Sequence, residues 1–95
     1  MILKITGLDK LQKELNDLAN AARALDGEIG NFTFNPNDPT SVENAVVQME
    51  QAIDAKVGAY RGSDAVENLI NQMKERYREE IYNRAAKARA EGEKP

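Results

Sequence analysis

The chain reads as an α+β protein, mostly α, in the order βαβαα: a small two-stranded sheet with three helices, the last one long. Three observations predict this. Two short stretches are rich in β-formers and bounded by Gly, Asn or Pro. Three longer stretches repeat apolar residues at steps of three and four. The turn 36–39, Pro-Asn-Asp-Pro, and the pair Gly62-Ser63 separate the helical stretches.

The first strand covers residues 2–6, Ile-Leu-Lys-Ile-Thr, and Gly7 ends it. Thr6 and Asp9 have the spacing of a capping box for a helix over residues 8–25. Leu8, Leu11, Leu15, Leu18, Ala22 and Leu25 form one narrow apolar stripe on it, the pattern of a seam between packed helices. Gly27 is a natural stop. The second strand is residues 31–35, where Phe32 and Phe34 alternate with Asn31, Thr33 and Asn35, so both rings fall on one face. A strand, a helix and a strand make a βαβ unit, parallel with a right-handed crossover, with antiparallel pairing as the alternative.

Asp38 caps the second helix, with Pro39 at its first position, where a missing N–H costs nothing. Thr40 and Glu43 offer a competing cap. That helix runs to about residue 60, with Val42, Val46, Met49, Ile53, Val57 and Tyr60 along one side. Gly58 either permits close helix approach or marks fraying. The connection is two or three residues, so the second and third helices form an antiparallel hairpin. Asp64 and Glu67 have the spacing of a cap for the third helix, residues 63–91. Its large apolar residues are Val66, Leu69, Ile70, Met73, Tyr77 and Ile81. Such a helix is about 40 Å long against about 30 Å for a compact domain of this size, so its far end projects or is covered by another molecule. The whole chain is one domain, residues 1–95, with about 82–95 as projecting helix end and frayed tail.

Composition excludes several functions. The chain has 95 residues, 41% of them apolar and 31% charged, as in a globular protein. With no cysteine there is no disulfide, thiolate metal site or cysteine nucleophile, and with no histidine the usual neutral-pH base is missing. The net charge of −3 argues against gripping nucleic-acid phosphate. The apolar run at the N-terminus is too short for a signal peptide and no segment has the length of a membrane span, so the expectation is a cytoplasmic protein without membrane partners. Glu75 and Glu79 share a helix face but read as a solvated face beside Lys74, Arg76 and Arg78. Asn35, Asn37 and Asp38 lack the distal Glu of a calcium loop. Arg84, Lys87 and Arg89 suit the negative end of a helix. No catalytic set, cofactor site or metal site is expected.

Two strands alone are marginal in water and leave unpaired edges. The expected contact surface is therefore the strand residues Ile2, Ile5, Phe32 and Phe34, with Tyr82, Arg84, Ala85 and Arg89 on the overhanging helix.

The opening, ITGLDKLQKELNDLA, resembles the start of small phage tail-completion and head–tail joining proteins. The runs FNPNDPTSVENAVVQMEQAIDAKVGAYRG and QMKERYREEIYNRAAKAR resemble short uncharacterised proteins encoded in prophage morphogenesis regions. Together these cover most of the chain. The additional strands that tail-completion proteins carry after the first helix are missing, so no functional residues are carried over. The resemblance implies a prophage origin and a non-enzymatic role in virion assembly, in the bacterial cytoplasm or on the virion. The partners would then be other copies of the chain or phage structural proteins. The alternative is a small regulatory binder of a host or phage protein.

Overall fold

The second and third helices form an antiparallel hairpin that carries the core. In the computed structural model, which describes residues 6–27 and 29–92, the elements are α1 (Thr6–Ala24), α2 (Pro39–Val57), a 3-10 turn (Gly58–Tyr60) and α3 (Asp64–Gly92). Asp38 caps α2, its side chain accepting from Thr40 N at 3.0 Å, and Pro39 follows at the first position. Val42, Val46, Met49, Ile53 and Val57 are buried along one side, joined by Ala45. From α3 come Val66, Ile70, Ile81 and Ala85, with Leu69, Met73 and Tyr77 packed against them.

Polar pairs beside this core fix the register. Arg78 meets Glu50 at 2.7 Å and Lys74 meets Asp54 at 2.8 Å, so the two helices run in opposite directions. At the hairpin turn, Arg61 forks the Glu67 carboxylate at 2.6 and 2.9 Å and reaches Asp54 at 3.1 Å. The cap of α3 falls one residue before the expected one. Ser63 Oγ accepts from Val66 N at 3.2 Å, and Glu67, the expected capping-box partner, is taken by Arg61. Gly62, at φ +130°, occupies backbone space that side chains disfavour. Gly58 does not mediate a close helix approach: a methyl group there would meet nothing, and the residue marks the change from α to 3-10.

The two-stranded sheet is not formed. Among the described residues there is no strand, and the fold is all-α rather than α+β. Of the first expected strand, residues 2–5 lie outside the described residues and Thr6 opens α1. The second, residues 31–35, is irregular extended chain. Its alternation is nevertheless present: Phe32 and Phe34 pack on the core while Asn31, Thr33 and Asn35 are exposed. Period-two patterning reports an extended chain with one face on apolar surface. It does not supply a backbone neighbour, and the helical hairpin beneath offers side chains rather than free N–H and C=O groups. The amide of Asn35 donates to Ser41 Oγ at 2.8 Å instead. The βαβ unit and its crossover fall with the sheet.

The end of α3 is engaged by its own chain as far as Arg89, and residues 86–92 are exposed. Ala85 is buried, and Arg89 donates to the Pro36 carbonyl at 2.8 Å. The extended segment 29–38 thus straps the hairpin and ends at its open end. The elongation arises elsewhere. The molecule spans 79 Å along its long axis and 18 Å across, whereas α3 accounts for only about 44 Å. α1 touches the hairpin and its 3-10 turn through its second half, burying Ala21, with Leu25 just beyond its end. Residues 7–13 are exposed throughout.

Candidate interaction surfaces

At the open end of the hairpin, the strap brings most of the expected contact residues together. The Arg84 guanidinium lies 5.9 Å from the centre of the Phe34 ring, within cation–π range. Tyr82 donates its hydroxyl to Glu43 at 2.7 Å. That bond, with some desolvation, raises the Tyr82 pKa above the usual phenol range, because ionising it would set a phenolate against a carboxylate. Pro36, Pro39, Val42, Tyr82, Ala86 and Arg89 line a cleft of about 620 Å³. A smaller groove of about 290 Å³ runs between Phe32, Phe34, Arg84 and Ala88. The strap thus sets Phe34 beside Arg84, and these side chains are largely engaged with their own chain. Ile2 and Ile5 lie outside the described residues.

The charges on the hairpin flank form fixed pairs. Glu50 raises the pKa of Arg78, chiefly through their hydrogen bond, and Arg61 lowers that of Glu67 in the same way. Among the described residues, no three acidic side chains converge closely enough to hold a metal ion. Among the described residues, no helix is long and apolar enough to cross a membrane.

Among the described residues, three of the five exposed large hydrophobic side chains are on α1. Leu8, Leu11 and Leu15 are 66%, 50% and 52% exposed. The leucine stripe is split by the way the helix sits. At about 100° per residue, the buried side passes through Leu18 and Ala21 to Leu25, roughly 80° around from the stripe's centre. Leu18 and Leu25 therefore turn inward, while Leu8, Leu11, Leu15 and Ala22 face out. Ala22 is exposed even though Ala21 beside it is fully covered. Periodicity identifies the stripe but not which part of it a neighbour covers. The even spacing through Ala22 is the available signal, because it gives the stripe a face broader than a single hairpin edge fills.

Comparison with known proteins gives one coherent answer. The YuaX family model matches residues 5–92, nearly the whole length of the chain. The chain belongs to the YuaX family. A relative from Escherichia coli (strain K12), described as uncharacterized protein YuaX, is 40% identical over 91 residues, covering 96% of this chain and 94% of the relative. No solved structure matches. The family found is YuaX, not a tail-completion or head–tail joining family, and the match extends over α1, the strap and the hairpin alike.

Proposed function

We propose that this YuaX-family protein works through protein–protein contact rather than catalysis, as a small assembly component. The exposed Leu8, Leu11 and Leu15 face carries the reading. Apolar residues scattered singly over a surface need no explanation, but three leucines aligned on one helix face form a contiguous patch of the kind that marks interaction sites. Burying a leucine is worth about 1.5–3 kcal/mol, so leaving three out has an energetic cost that a partner removes. The setting proposed is virion morphogenesis, for which the only support is the resemblance of the runs 34–62 and 72–89 to short prophage-encoded proteins.

The test is capture from the native host with the wild-type chain and a Leu11→Lys variant. A stoichiometric structural protein should be retained by the wild type and lost by the variant at unchanged helicity. A host enzyme captured instead would favour a regulatory role. Equal capture by both chains would remove α1 from the contact.

A further inference from the structure

We propose that the outward face of α1 pairs with the same face of a second copy, antiparallel and centred on Leu15. This rests on reading that face as a contact surface and names its occupant.

The face is uncharged along its length: Leu8, Leu11, Gln12, Leu15, Ala19 and Ala22. The charged residues of α1 sit on the flanks or the opposite side, where Lys13 and Asp17 pair at 2.7 Å. The face is also uneven in size, with leucines in its first half and alanines in its second. Leu8 and Ala22 each stand one heptad from Leu15. Antiparallel pairing about Leu15 therefore sets Leu8 against the second copy's Ala22, and Leu11 against the second copy's Ala19. Large side chains meet small ones, which lets two helices approach closely and interdigitate.

Charge selects the same direction. Asp9 and Arg23 lie near opposite ends of one flank of the face, and both are exposed. Antiparallel pairing brings Asp9 near the second copy's Arg23 and opposes the two helix dipoles. Parallel pairing would put the two copies of this flank on opposite sides of the seam, so the Asp9–Arg23 contact would be lost, and it would set leucine against leucine at one end and alanine against alanine at the other. The hairpins attach roughly 80° around the helix from this face, so in the antiparallel pair they lie towards opposite ends.

The contact is small. A seam along one helix of about 28 Å covers less than the roughly 800 Å² per partner of a standard interface, so the dimer should form in the micromolar range.

The chain has no cysteine, which makes cross-linking specific. Full-length chains carrying Leu8→Cys and Ala22→Cys should give a disulfide-linked dimer on mild oxidation when mixed, several-fold above either alone. Sedimentation of the wild type should move from the mass of one chain, 10.6 kDa, toward two as concentration rises. Leu15→Lys should hold it at one with the helical circular dichroism unchanged. Self-linking of either single variant above the mixture would show parallel pairing and overturn the proposal. A wild type that stays at one-chain mass up to several hundred micromolar would also overturn it. Capture of a different protein that depends on Leu11 would then still stand, so the two readings fail separately.

Discussion

Tyr82 and Glu43 show how a single hydrogen bond sets a measurable property. The neutral phenol donates and the phenolate cannot, so the folded pKa lies above the unfolded value. The bond's contribution is complete below the unfolded value, about 10, and is lost as pH rises through the raised one. An absorbance titration should show a late-titrating tyrosine that moves down in Glu43→Gln. Glu67 has the opposite sign. Arg61 depresses its pKa, so that pair is intact above the ordinary carboxylate range and weakens as pH falls through the depressed value. Ile53, fully buried between the helices, is a packing residue. Ile53→Ala should lower unfolding free energy by about 2–5 kcal/mol in a denaturant titration. Gly62→Ala should cost about 1 kcal/mol or more at φ +130°, although nothing crowds the position.

At the scale of elements, the strap and α1 divide the work of covering the hairpin. The strap has no ladder, so its attachment relies on Phe32 and Phe34, with the Arg84 and Arg89 contacts at the end. Phe34→Ala should loosen that end and lower the melting temperature by several degrees, the shift expected for about 1 kcal/mol in a domain of this size. The helices themselves were largely legible. The stripes of α2 and α3 named Val42, Val46, Met49, Ile53, Val57, Val66, Ile70 and Ile81, all of which are buried. Ala45 was not named and Ala85 was placed on an outward contact surface, because a small residue gives little periodic signal, yet both are buried. The strands were misread because the Phe32/Phe34 alternation, and the β-formers ahead of Gly7, test for an extended face and not for a pairing edge.

Across the whole molecule, length is concentrated in α1 rather than in the end of α3. Amides of residues 7–13 should exchange with solvent faster than those of the buried side of α2, since no other element covers them. Raising the protein concentration should slow the exchange of α1 selectively if its leucine face is taken up by another chain. At the expected surface of Tyr82, Ala85 and Arg89, Ala85 is buried and Arg89 holds the chain's own strap. A helix longer than a compact domain signals surplus surface; α3 is covered by α2 and the strap as far as Ala85 and touched at Arg89, whereas residues 7–13 of α1 are exposed throughout.

The sequence by itself determined the three helices, the antiparallel hairpin, its core and the absence of histidine and cysteine chemistry. All of these follow from local spacing, caps and composition. Only the tertiary structure decided that residues 31–35 lie down as a strap, and that α1 turns Ala21 inward while Leu8, Leu11 and Leu15 face out. Those outcomes depend on which neighbour reaches a face first, and a periodic stripe records that a face is apolar without recording what will cover it.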